Sequence, residues 1–197
     1  MLILKKNNPY TFFVDLETTG FSPTKNDIIQ LAGIIVKENV VVASFNEFCR
    51  PSYPETWGAG AEKIHKITLY QAMRFQPQRI MLIKLMKFLA PYRIDSDPII
   101  KFTSHAKGKF DYRFLLDCFI RENLGDSFFR VFSERKYEST ITLADNCKKI
   151  TGLESSKLSE LAEYFDLELD HHAAESDVNC CFEVYKRLKE MDKGIFK

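Results

Sequence analysis

What this 197-residue sequence offers to chemistry is a set of carboxylates at telling spacings. Asp15-Leu16-Glu17 closes an aromatic and β-branched run that begins at Tyr10. Side chains alternate across a strand, so residues two apart put both acids on one face, a few ångströms from each other. Two anions that close repel, and a hard divalent cation such as Mg²⁺ or Mn²⁺ is the natural neutralising partner. Alone the pair is weak evidence, since exposed strand ends often carry acids. Asp111, at the start of a helical stretch, and Asp177, in the first turns of the last long helix, add two more. His172 stands five residues before Asp177. Five residues of continuous helix turn by about 500°, leaving the two side chains roughly 140° apart. If both face one site, His172 belongs to the loop that enters the helix, with Leu169-Asp170-His171.

These residues need strands and helices to hold them. Tyr10 to Asp15, Ile28 to Val36 and Val40 to Phe48 read as three antiparallel strands, with Thr18-Thr19-Gly20 and Ser22-Pro23-Thr24 marking the first connection. Arg50 to Gly60, with its Pro, Gly and Ser, reads as a loop. Ile80, Leu82, Ile83, Leu85, Met86 and Leu89 recur at helical spacing behind Pro77, which predicts a helix ending near Ala90. The apolar run 98–102 predicts a buried strand, and helices follow over Phe110 to Ile120, Thr142 to Ile150, Leu158 to Phe165 and Ala174 to Glu190. A meander followed by alternating strands and helices makes an α/β domain, a mixed sheet covered by helices.

Size and composition fit one globular domain over 1–197, with 45% hydrophobic and 28% charged residues. The first fifteen residues are neither a signal peptide nor a membrane span, so a soluble, cytoplasmic protein with no membrane partner is expected. The five cysteines form no CxxC pair, which suits a reducing compartment and small buried thiols. A net charge of +1 excludes a globally basic nucleic-acid binder. Local charge is another matter: 74–113 carries nine Lys or Arg against three Asp, whereas 115–180 carries seven against fourteen acids. The basic segment could track phosphates or simply be solvated.

Joined in order, the motifs resemble the DEDDh family of 3′-to-5′ exonucleases, which includes the proofreading subunit of bacterial replicative polymerase and ribonuclease T. Asp15-Leu16-Glu17-Thr18-Thr19-Gly20 is similar to the first motif, and 27–32 to the strand that follows it. Ile64-His65-Lys66-Ile67-Thr68 resembles the next landmark, and Phe110-Asp111 the second motif. His172-Ala173-Ala174-Glu175-Ser176-Asp177 matches the third, H-x-A-x-x-D, behind the lead-in 157–162. One departure stands out, because the family has His-Asn shortly before Phe-Asp. Either Lys107 occupies the asparagine's place, or His105 supplies the histidine after a one-residue slip.

The resemblance implies a ribonuclease H-like fold, a five-stranded mixed sheet with flanking helices. It also implies a site built from Asp15, Glu17, Asp111 and Asp177 around two divalent ions, with His172 as general base. Two such ions about 4 Å apart activate water and stabilise the leaving 3′-oxygen, so that nucleoside 5′-monophosphates are released from the 3′ end of a single strand, DNA being favoured. Thr18, Gly20, Phe21, His65 and Lys107 would contact the substrate. Phe21 has a competing reading as a core residue, and His65 as a helix-surface histidine. The rival functions are an RNA-trimming or oligoribonucleotide-degrading enzyme of the same superfamily, and a non-catalytic nucleic-acid-binding module. With only 191–197 after Glu190, a free-standing nuclease is expected over a stably bound proofreading subunit, with docking to a polymerase or a homodimer left open.

Overall fold

The computed structural model describes residues 7–170 and 173–195. The elements in chain order are β1 (Tyr10–Thr18), β2 (Ile28–Lys37), β3 (Val40–Arg50), α1 (Ala59–His65), α2 (Leu69–Ala72), β4 (Gln76–Pro77), α3 (Gln78–Leu89), β5 (Lys101–Ser104), α4 (Phe110–Arg121), α5 (Gly125–Phe129), β6 (Tyr137–Ser139), α6 (Thr140–Thr151), α7 (Leu158–Tyr164) and α8 (Ala174–Ile195). The sheet runs β4-β3-β2-β1-β5-β6. β1, β2 and β3 pair antiparallel, while β5 joins β1, and β6 joins β5, in parallel. The mixed sheet expected from sequence is therefore present, with one strand more than the five expected. The addition is β4, two residues parallel to the end of β3, too short to leave a periodic signal.

Alternation along β1 assigns the two faces. Phe12, Val14 and Leu16 enter a core with Leu31 and Ile35 of β2, Phe102 of β5, Leu82 and Leu85 of α3, and Phe114, Leu115 and Phe119 of α4. Phe13 points the other way, where it packs with Ala32, Ile34 and Val36 against Ala174, Val178, Cys181 and Phe182 of α8. A third cluster joins α6, α7 and α8 through Leu143, Cys147, Leu161, Val184 and Leu188. Phe12 is fully buried and stacks on Phe132 at 5.9 Å; burying such a side chain contributes about 1.5–3 kcal/mol. Gly33 permits this packing, since a Cβ there would come within 2.3 Å of the Phe12 ring.

The run 98–102 becomes regular strand only from Lys101, and Ile100 instead donates its N–H to the Val131 carbonyl. Arg50 to Gly60 is mostly irregular, as expected, but its end already belongs to α1. Several cations of the basic segment are engaged by neighbouring groups. Lys84 pairs with Glu47, Lys101 with Glu138, Lys109 with Glu134, and Arg74 lies over Tyr70. All five cysteines are free and buried. No described helix is long and apolar enough to cross a membrane.

Candidate active site

Because Phe13, Asp15 and Glu17 share one parity on β1, both acids face the side of the sheet that α8 covers. Val178 and Cys181 seat the first turns of α8 against that face, which brings Asp177 to the end of β1. One carboxylate oxygen from each of Asp15, Glu17 and Asp177 lies within 4.8 Å of the others. The register with β2 shifts between Glu17 and Thr18, and the chain then turns sharply. Thr18 donates its hydroxyl to the Gly20 carbonyl at 2.7 Å, and Thr19 is tied to Asp27 through both its amide and its hydroxyl. Gly20 is required here by close approach, as a Cβ would meet the Asn26 side chain at 2.7 Å. That side chain is committed elsewhere: its Oδ1 accepts from the Ser22 amide and its Nδ2 donates to the Thr56 carbonyl.

Asp111 reaches the site from the opposite layer. It is the second residue of α4, is only 4% exposed, and its charge acts on both Asp15 and Glu17. Burial, and then the charges of Asp111, Glu17 and Asp177, raise the Asp15 carboxyl well above the usual carboxylate range. Asp15 as a residue is half-buried. Burial, followed by Asp177 and Asp111, pushes Glu17 up to about 8. Asp111 differs from these two. Burial raises it to about 6.

This arrangement fits a divalent cation. The groups that perturb Asp15 and Glu17 are all acids, and the clustered donors are all carboxylate oxygens. Such a donor set selects hard ions like Mg²⁺ and Mn²⁺ over soft ones.

Four of the five substrate-contact residues expected from sequence come together beside these acids. Thr18, Gly20, Phe21 and His65 line a cavity of about 140 Å³ with Leu16, Glu17, Ala61, Ile64 and Phe110. Phe21 is 78% exposed, so its reading as a core residue is ruled out. His65 ends α1 yet is buried, which rules out the helix-surface reading. Its Nδ1 accepts the Ile67 amide at 3.0 Å, so the ring proton sits on Nε2, which has no partner among the described residues. Burial lowers the His65 pKa, which favours the neutral ring.

Lys107 does not join this group. It lies exposed in a turn before α4 and lines a separate cavity of about 540 Å³ with residues of β6 and α6, among them Tyr137, Ser139 and Asn146. That cavity is the larger of the two, but it contains none of the four acids. His105 follows β5 directly and is held at both ring nitrogens, by the Thr140 hydroxyl at 2.7 Å and the Ser156 carbonyl at 2.9 Å. His172 and its neighbour His171 lie outside the described residues. Ala61, Ile64 and Phe110 were not anticipated in the cavity wall; the loop was read to run to Gly60, and only the helical spacing of Ala61, Ile64 and His65 could have signalled α1.

Comparison with known proteins agrees with this geometry. An exonuclease family model of the RNase T type matches residues 12–185. A PolC-type DNA polymerase III from Thermotoga maritima is 29% identical over 187 residues, and that of Thermotoga petrophila 27%. The matches cover 94% of this chain but 12% of each polymerase, so the chain spans about an eighth of the length of these relatives. Among solved structures, product-bound exonuclease I superposes with a TM-score of 0.78 at 16% identity, covering 97% of this chain and 45% of that one. E. coli exonuclease I in complex with a dT13 oligonucleotide gives 0.78 at 17%, over 95% and 42%. At these identities the likeness establishes the fold, while the family model covers most of the chain: it belongs to the RNase T exonuclease family, the DEDDh 3′-to-5′ exonucleases.

Proposed function

We propose that residues 1–197 act as one metal-dependent exonuclease unit that shortens single-stranded DNA from its 3′ end and releases nucleoside 5′-monophosphates. The observation that carries the reading is the meeting of Asp15, Glu17 and Asp177 within 4.8 Å, with buried Asp111 alongside and a small cavity opening beside Glu17. Asp15, Glu17, Asp111 and Asp177 are the residues that would hold two divalent ions, Mg²⁺ or Mn²⁺. Bound there, such ions supply Lewis-acid activation of water and of the leaving oxygen.

The chain's own groups do the rest. Thr18, Gly20 and His65 shape the cavity that accepts the terminal nucleotide, and the Nε2–H of His65 offers it a donor. Phe21, projecting into solvent at the mouth, offers a ring on which a base can stack. His172 takes the proton of the attacking water, a task suited to a group that titrates near neutrality. A cavity of about 140 Å³ favours an unpaired end, because fraying a duplex costs free energy. DNA is preferred on the strength of the polymerase relatives and of the exonuclease I fold, one example of which is in complex with dT13. The same relatives make a polymerase a candidate partner, and a solution complex can be sought by co-purification.

The decisive assay is digestion of 5′-labelled single-stranded DNA, duplex DNA and RNA, with Mg²⁺ or Mn²⁺ and with chelator. Expected are a ladder shortening from the 3′ end, fastest on single-stranded DNA, and none in chelator or with a blocked 3′ terminus. Cleavage that persists in excess chelator or begins at the 5′ end would overturn the reading. Faster loss of RNA would reassign the substrate.

A further inference from the structure

The small cavity beside Glu17 has two principal walls: the turn that carries Thr18, Gly20 and Phe21, and α1 with Ala61, Ile64 and His65. Two consecutive residues, Asn26 and Asp27, are each bonded both to that turn and to the segment that leads into α1. Asp27 holds Thr19 of the turn through its amide and its carbonyl, and its Oδ2 accepts the Tyr53 amide of the lead-in at 2.7 Å. Asn26 repeats the pattern, taking the Ser22 amide at 3.0 Å and giving to the Thr56 carbonyl at 3.0 Å. The walls also meet directly where the Gly58 amide donates to the Thr19 carbonyl at 2.8 Å. Arg121, the last residue of α4, grips both members of the pair. Its Nη2 donates to the Asn26 carbonyl at 3.1 Å, and its Nη1 lies 3.2 Å from Asp27 Oδ1 as an ion pair without the alignment of a hydrogen bond. The guanidinium is itself fixed, by Asp117 one turn earlier at 3.3 Å and by the Tyr53 ring, whose centroid is 5.5 Å away. Asp27 is fully buried, so loss of that cation would leave its charge uncompensated. A planar fork can serve two acceptors at a set spacing, which an ammonium cannot.

We propose that Arg121 is a positioning residue for the terminal nucleotide: by gripping Asn26 and Asp27 it fixes the turn and α1 at the spacing the cavity needs, and ties both to the helix that begins with Phe110 and Asp111. Arg121 is not among the residues that line the cavity, so its effect passes through Asn26 and Asp27. The cost of losing it falls on nucleotide binding rather than on cation binding. The inference rests on the reading of this cavity as the seat of the terminal nucleotide.

The test pairs calorimetric binding of thymidine 5′-monophosphate in saturating Mn²⁺ with Mn²⁺ binding by electron paramagnetic resonance in the absence of nucleotide. Steady-state kinetics on single-stranded DNA and melts in chelator accompany them. Arg121→Lys keeps a charge beside Asp27 but gives up the fork. It should weaken nucleotide binding and raise KM by roughly 10-fold, the lower end for a lost charge-assisted hydrogen bond, with kcat and Mn²⁺ affinity unchanged. Arg121→Met should melt lower, because Asp27 is left buried without its cation. Adding Asp27→Asn to it should recover the melt but not the nucleotide affinity, since the Asn26 carbonyl is still unheld. Unaltered nucleotide affinity in Arg121→Lys, an equal loss of Mn²⁺ affinity, or nucleotide affinity that returns with the melt in the double variant would overturn the positioning role while leaving the nuclease reading standing. Failure of the unmodified protein to bind Mn²⁺, or to shorten single-stranded DNA, would instead overturn the proposed function, and this inference with it.

Discussion

The acid cluster should make the metal-free protein lose stability as pH rises, and a divalent cation should give it back. On folding, burial and neighbouring acids take Glu17 from its ordinary 4.5 to about 8. Between those values the folded state holds a proton that the unfolded chain has released, so stability falls as pH increases. The contribution is fully present below pH 4.5 and is lost as pH passes 8. Asp111, raised from 3.8 to about 6, acts in the same direction at lower pH. For Glu17 alone the ceiling is about 5 kcal/mol, which in a domain of this size corresponds to roughly 10–20 °C in melting temperature. Calorimetric or fluorescence melts in chelator at pH 5, 6, 7 and 8.5 should therefore decline by several degrees. Saturating Mg²⁺ should flatten the decline, so that the gap between the two curves widens with pH. Glu17→Gln, which has nothing to titrate there, should flatten the chelator curve. A curve in chelator that is level from pH 5 to 8.5, or a Mg²⁺ effect that does not grow with pH, would refute the reasoning.

Asp15→Asn should reduce exonuclease turnover by at least roughly 10²–10³-fold without lowering the melting temperature in chelator, because it removes one of several mutually repelling charges; unfolding of the variant would mean that Asp15 is structural. His172→Ala should lower turnover by roughly 10²–10⁴ and remove the rate's dependence on a group titrating near neutral pH, whereas His171→Ala should be mild, and the reverse outcome in pH–rate profiles would shift the third motif by one residue. Phe21→Ala should leave the melt unchanged and raise KM for single-stranded DNA by about tenfold, the low end of a stacked base; steady-state kinetics check this, and an unchanged KM would exclude stacking. Gly33→Ala should destabilise the fold by about 1–3 kcal/mol through overpacking against Phe12, measured by urea denaturation.

The acids of β1 were legible because period-two alternation carries both a packing instruction and a chemical one, and Phe13, Asp15 and Glu17 follow it together. The long helices α3, α4 and α8 announced themselves by apolar residues at helical spacing. Short elements did not: β4 and β6 have two and three residues, less than one repeat of any periodic pattern, and they exist because their neighbours in the sheet supply the hydrogen bonds. Phe21 and His65 carried two readings each in the sequence, and only burial separated them. Lys107 was a plausible contact by position, but Lys109 takes a left-handed φ of 60° and Gly108 one of 61°, and the turn they make leaves Lys107 outside the cavity.

The parity of β1 has a genetic corollary. Its even-numbered residues build one core and its odd-numbered ones reach the catalytic side, so the loss or gain of a single codon between Tyr10 and Asp15 would exchange the two sets. The apolar even set, Leu16 among it, would then face the cation site and the carboxylates the hydrophobic layer beneath α3 and α4, and both folding and catalysis would fail at once. In-frame length change is thus closed to this stretch, and any viable variation in it must proceed by substitution at fixed length, each parity class drifting under its own rule.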